Sequence, residues 1–226
     1  MSEKKEVNIL TIDFDYIMFP CIKLYNDLCG GDANPTEVWD IIEHERRINN
    51  HISYDANALQ CIAKILKGCL AVDGCKLHTV TEHQELIKEV GITTDEDNIE
   101  YNITNIDFHH DIYYRPEDVA TLSYFNDYNC SNWLGYINYI GKLKSYTWYQ
   151  APTSDPIMLD RYDDELSEKI TIKLGKRLNE FMESCLNKDI TFDHVVFCLS
   201  PQWVPYRYHH LFYMLSDIFT ESGDKS

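Results

Sequence analysis

The residues best suited to chemistry lie in Ile106-Asp107-Phe108-His109-His110-Asp111. Asp107, His109 and Asp111 occupy alternate positions, directly after an apolar run, Ile103-Thr104-Asn105-Ile106, that reads as a short buried strand. Alternate residues of extended backbone share a face, so these three can converge just past the strand end. Carboxylate plus imidazole suits manganese, iron or zinc. Asp and His are also ordinary turn residues, so a metal reading needs ligands from elsewhere in the chain.

Two other stretches offer them. Val7 to Ile12 is an apolar run ending in Asp13-Phe14-Asp15, and His83 follows a strand-like Lys76–Thr81. Together these are four carboxylates and two imidazoles on three strand ends. Two divalent ions about 3.5–4 Å apart, sharing bridging carboxylates, need about this many ligands and activate water near neutral pH.

The elements that must position them alternate between strand and helix. After the Cys29-Gly30-Gly31-Asp32 turn signal, Asn34-Pro35-Thr36 leads into a helix with Val38, Ile41, Ile42 and Ile48 at helical spacing. His44 and His51 lie on it, seven residues apart, as a solvated or packing face. Tyr54 to Lys67 is a second helix, which Gly68 could cap. Glu82 to Leu86 enters a helix that Gly91 closes, and the acidic stretch Thr93 to Asn102 reads as an exposed loop. Arg115-Pro116-Glu117-Asp118 starts another helix. Asn129, Ser131, Asn132 and Trp133 stand at the entry to an apolar helix carrying Leu134, Ile137 and Ile140, as caps or as a substrate-contact loop. Ser145 to Gln150 is a strand, and Ala151 to Asp164 is loop-like. At least half of Asp164 to Asn187 is helix, His194 to Leu199 is an apolar strand, and Tyr206 to Phe219 is the last helix. Residues 220–226 read as a disordered tail. This alternation predicts an α/β fold, a three-layer sandwich with a mostly parallel central sheet. No repeat or linker splits the 226 residues, so a single domain is expected.

Composition narrows the function classes. A net charge of −17 argues against nucleic acid, whose phosphates need a basic face. It favours a cationic partner, or serves solubility. No run has the length to span a bilayer. The polar start, Met1-Ser2-Glu3-Lys4-Lys5-Glu6, has no apolar run after it, so no secretory signal is expected. The eight cysteines contain no C-x-x-C pair, which argues against structural zinc and leads us to expect reduced thiols in a cytoplasmic protein.

Asp-x-His-x-Asp, a separate Asp-x-Asp and a lone His after another strand resemble the dimanganese site of the arginase and agmatinase ureohydrolases. In that family the Asp-x-Asp comes late. Here the similar segment, Leu10-Thr11-Ile12-Asp13-Phe14-Asp15, comes first, as in a circular permutation. That order, with Asn-Cys-x-Asn-Trp at Asn129–Trp133 and Ser200-Pro201 near the end, resembles the peptide arginases. Val80-Thr81-Glu82-His83 replaces the family's Gly-Gly-Asp-His. His110 stands where a small residue is common, and Gln202 where an acidic residue would grip a guanidinium.

The resemblance implies an arginase/deacetylase-like fold holding two Mn2+, with Fe2+ or Zn2+ as substitutes. Asp13, Asp15, His83, Asp107, His109 and Asp111 would be the ligands. Asp111 or His110 would carry a proton to the leaving amine, and Asn129, Asn132 and Gln202 would contact substrate. The implied reaction converts arginine side chains of a ribosomally made precursor peptide to ornithine and urea. Alternatives on the same fold are a small-molecule ureohydrolase, an amide deacetylase, or an inactive peptide-binding relative. A phosphatase with Asp13 as nucleophile would need a Thr or Ser soon after Asp15, and Tyr16-Ile17-Met18-Phe19 supplies none. The sequence leaves a homo-oligomer open.

Overall fold

In the computed structural model, β1 (Lys5–Asp13) is the strand on which the others are laid. The structure describes residues 4–19, 39, 41, 44, 53–94, 98–112, 128–154, 157, 159, 162 and 164–223. After β1 the chain makes a 3-10 turn at Phe14–Ile17, then β2 (Met18–Phe19), which pairs antiparallel with β3 (Ser53–Tyr54). Next come α1 (Ala56–Leu70), β4 (Lys76–Val80), α2 (Leu86–Val90) and β5 (Ile99–Asp107). They are followed by α3 (Trp133–Tyr139), β6 (Leu143–Gln150), α4 (Asp164–Lys169) and β7 (Ile170–Leu174). The chain continues with α5 (Leu178–Leu186), β8 (His194–Cys198) and α6 (Tyr206–Gly223).

Six strands form one sheet in the order β4-β8-β1-β5-β6-β7, and every pairing in it is parallel. Alternation along β1 and β5 sorts the core. Leu10, Ile12 and Ile106 face a layer that buries Ile62, Ile65 and Leu66 of α1, Phe181 and Met182 of α5, and Phe212 of α6. Val7, Ile9, Tyr101 and Ile103 face the opposite layer, which buries Leu86 of α2, Trp133 and Ile137 of α3 and Leu166 of α4. Each such fully buried apolar side chain contributes about 1.5–3 kcal/mol. Helices thus cover both faces of a parallel sheet, the three-layer α/β sandwich expected from the strand–helix alternation.

Several boundaries differ from the sequence reading. β5 begins at Ile99, inside the stretch read as an exposed acidic loop, because Tyr101 turns inward and is 4% exposed. Gly68 does not cap α1, which runs on to Leu70. Asp55 starts that helix, its Oδ1 accepting from the Asn57 and Ala58 amides at 2.8 and 3.1 Å. β7 lies within the stretch read as at least half helix. The last helix extends past Phe219 to Gly223, so it takes in the start of the expected tail. Gly91 closes α2 as expected, in the left-handed region at φ 81°. Of the helix expected after Asn34, only Trp39, Ile41 and His44 are described, and all three are helical. The Cys29–Asp32 turn, His51 and the helix start at Arg115–Asp118 lie outside the described residues.

Candidate metal centre

The strand register explains why the acidic residues meet. Ile12 pairs with Ile106, Asp13 with Cys198, and Cys198 with Val80, so β4, β8, β1 and β5 end level with one another. On the α3 side, β1 places Thr11 and Asp13 after the apolar Val7 and Ile9, and β5 places Asn105 and Asp107 after Tyr101 and Ile103. The chain also turns outward in opposite directions here: β1 leads toward β4, and β5 toward β6 and β7. Carboxyl ends of strands at such a switch point are where open parallel sheets build their sites.

Asp13, Asp15, His83, Asp107, His109 and Asp111 come together as the sequence suggested. His83 Nδ1 lies 2.9 Å from Asp111 Oδ2, 3.2 Å from Asp107 Oδ2 and 3.4 Å from Asp13 Oδ2. His109 Nδ1 lies 3.0 Å from Asp15 Oδ2. Two overlapping triads have the compactness of a cation site: Asp13, His83 and Asp107; and Asp15, Asp107 and His109. Asp107 belongs to both. All of these side chains except His109 are at most 3% exposed.

The residues fit a cation on grounds of hydrogen bonding. Asp15 Oδ2 and His83 Nδ1 are buried without a hydrogen-bond partner, although ligand-type atoms stand within 3.4 Å of each. Four carboxylates sharing a dry space repel each other unless a positive charge sits among them. The buried Asp/His cluster could therefore hold a metal ion.

Surrounding groups fix the orientation of each candidate ligand. Thr11 Oγ1 bonds His83 Nε2. A neutral His83 that lends its Nδ1 lone pair must carry its proton on Nε2 and donate it to that hydroxyl. Asn105 Nδ2 donates to Asp107 Oδ2 at 3.0 Å, and the His109 amide to Asp107 Oδ1 at 2.8 Å. Ser200 Oγ donates to Asp13 Oδ2 and Trp133 Nε1 to Asp111 Oδ2, each at 2.5 Å. Asp111 and Ser200 both sit in the left-handed region, at φ 54° and 49°. For residues with a Cβ this conformation costs about 1–3 kcal/mol, and it clusters at functional sites.

The electrostatics follow from burial and crowding. Burial and the charges of Asp13, Asp107 and Asp111 push the Asp15 carboxyl well up. Burial and Asp107 push Asp111 up to about 7. Burial opposes charge on His83, but Asp107, Asp111 and Asp13 on its Nδ1 outweigh that and raise it. Burial also opposes charge on Asp107, yet its contacts with His83 hold it below the usual carboxylate range. Burial raises Glu82, the residue before His83, to about 7, with Asp13 adding to the effect.

A cavity of about 280 Å³ opens onto the cluster, lined by Asp13, His109, Asp111, Cys130, Ser131, Ser200 and Trp203. A larger one of about 430 Å³, near Tyr16, Tyr54 and Ala151, has none of the candidate ligands in its lining.

The remaining sequence candidates are arranged differently. His110 is buried, is absent from the described cavity lining, and accepts from the Ile112 amide through Nδ1 at 3.2 Å. Burial and His109 lower it to about 4. Asn129 and Asn132 brace their own loop: the Asn129 amide donates to Asn132 Oδ1 at 2.8 Å, and Ser131 Oγ to Asn129 Oδ1 at 2.7 Å. They set the shape of the Cys130–Ser131 wall. Gln202 Nε2 donates to Glu82 Oε1 at 3.3 Å. Sequence reasoning missed Thr11, Asn105 and Trp203 as parts of the site. Thr11 and Asn105 did leave a signal, since each is polar on an inward position of an apolar strand, and they pair across β1 and β5. No protein-family model, no curated protein and no solved structure matches the chain.

Proposed function

We propose that the protein is a hydrolase of arginine side chains in a ribosomally made peptide, using two manganese ions and yielding ornithine and urea. The observation carrying this reading is the pair of buried triads that share Asp107 and open onto one cavity. Asp13, His83, Asp107 and Asp111 would hold one ion, and Asp15, Asp107 and His109 the other. The ions would supply Lewis-acid activation of water and neutralise the carboxylates. In support stands the resemblance of Asp-x-His-x-Asp and Asp-x-Asp to the ureohydrolase pattern.

Each step can be assigned to residues of the chain. The flat guanidinium would lie in the cavity against Trp203, whose ring packs on that of His109 at 4.8 Å. Arg-type cations favour such aromatic faces. A water oxygen adds to the guanidinium carbon, and the bond from that carbon to the side-chain nitrogen breaks. Guanidinium plus water then balances as urea plus the alkylammonium of ornithine. Asp111, which lines the cavity, would take a proton from the water and pass it to the departing nitrogen. His110, bonded to the Ile112 amide away from the cavity, is the poorer carrier.

The test is mass spectrometry of arginine-containing peptides incubated with the manganese-loaded protein, with free arginine and agmatine assayed alongside. Loss of CH2N2 from the peptide with matching urea supports the proposal. Conversion of the small molecules alone would make it a small-molecule ureohydrolase. No conversion of any substrate by protein that has bound manganese would end the hydrolase reading.

A further inference from the structure

The cavity of about 430 Å³ takes no part in the metal centre, and its size is that of a small-molecule site. It too lies at the carboxyl end of the sheet: Tyr16 follows β1, Ala151 follows β6 and Gly175 follows β7. Asp15 and Tyr16 are neighbours in the turn Phe14–Ile17, and they divide between the two places. Asp15 belongs to a cation triad, and Tyr16 lines this cavity. Tyr16 is only 5% exposed, yet among the described residues nothing hydrogen-bonds its hydroxyl. Gly175 leaves room beside it: a Cβ there would lie 3.0 Å from the hydroxyl oxygen.

The rest of the lining limits what can enter. It holds no Lys, Arg or His, so an anion would be buried there without a counter-charge. Its one acid, Asp55, is committed to the start of α1 through the Asn57 and Ala58 amides. Cys61 Sγ donates to Asn179 Oδ1 at 3.1 Å, so that pair is matched. Tyr16, Tyr54 and Met18 offer two rings and a thioether, which favour an aromatic partner. A buried hydroxyl without a partner costs free energy that an acceptor on the ligand would recover.

We propose that this cavity is a second binding site, for an uncharged aromatic group whose acceptor atom bonds the Tyr16 hydroxyl. The group is either a side chain of the peptide proposed above as substrate or a free small molecule, and only the first source rests on that reading.

The test titrates benzamide, toluene and benzenesulfonate into protein equilibrated with Zn2+, with binding read by saturation transfer to the probe protons. Benzamide should bind wild type saturably, and benzenesulfonate about tenfold or more weakly. Ala58→Phe, which fills the cavity, should abolish benzamide binding. Tyr16→Phe should weaken benzamide about fivefold and leave toluene unchanged; it decides alone if Ala58→Phe does not fold. No saturable benzamide binding, binding that survives in folded Ala58→Phe, undiminished affinity in Tyr16→Phe, or equally tight benzenesulfonate would overturn the proposal. An arginine-containing peptide with a neighbouring tyrosine is then titrated against bound benzamide. Displacement assigns the site to the peptide, and no displacement assigns it to a free ligand. A protein that binds benzamide in this way but releases no urea would keep the site and lose only the hydrolysis.

Discussion

Thr11 shows how much a single side chain off the cluster can matter. Its hydroxyl bonds the far nitrogen of His83 and so sets which nitrogen faces Asp13, Asp107 and Asp111. Thr11→Val keeps the shape and removes that partner. The expected result is a drop in metal affinity of about 10–100-fold, the usual effect of losing the group that orients a ligand. Chelator competition would measure it, and an unchanged affinity would mean that other contacts orient the ring. At this scale the six candidate ligands were legible in the sequence, because acidic residues and histidines interrupt apolar strands at alternate positions. Trp203 was not legible. In the sequence it is one more apolar residue after Ser200-Pro201, and only the fold sets it beside His109.

Among the elements, the α1–α5 contact depends on an absent side chain. A Cβ on Gly68 would lie 2.8 Å from both the carbonyl carbon and oxygen of Cys185. Helix propensity favours Ala over Gly by about 1 kcal/mol. The clash is with backbone of α5, so the two helices must move apart. Gly68→Ala should therefore destabilise the protein by about 1–3 kcal/mol net, as overpacking does. A denaturant midpoint at or above that of wild type would contradict the close approach. Read from sequence, this glycine looked like a helix end, because the residue that crowds it lies more than a hundred positions away.

A second element-scale test lies at the start of β4 and β8. His78 Nε2 and His194 Nδ1 are 3.0 Å apart. Burial lowers both, with Lys76 and, for His194, the neighbouring His78 adding to the effect. The unfolded chain then binds protons more readily, so the contribution is present above the unfolded value near 6.5 and fades as pH falls through it. Lowering pH from about 7.5 to about 5.5 should cost wild type more stability than it costs His78→Gln, as seen in urea melts. Parallel pH profiles would mean the pair carries no linkage. β7 was hidden from the sequence for a different reason. Ile170-Thr171-Ile172-Lys173-Leu174 is mostly exposed and runs into Leu178, Phe181 and Met182, whose helical spacing masks the strand.

At the scale of the molecule, strand–helix alternation was enough to read a parallel α/β sandwich, but the strand order β4-β8-β1-β5-β6-β7 was not legible. Order depends on crossovers, and it is what sets β4 and β5 on either side of the β8–β1 pair. The charge of −17 also acts at this scale. It should draw cationic peptides to the protein, so apparent affinity for an arginine-containing peptide should weaken as salt rises. A flat salt response would confine recognition to short-range contacts. No described helix is long and apolar enough to cross a membrane.

The whole reading depends on β1, β4 and β5 delivering ligands for two cations that share Asp107. Manganese titration followed by electron paramagnetic resonance, which counts free ion, tests this directly on wild type and Asp107→Asn. Two manganese ions bound per wild-type chain, with both lost or greatly weakened in Asp107→Asn, is the expected result. A wild-type chain that binds none, or an Asp107→Asn chain that binds two as tightly as wild type, would contradict it.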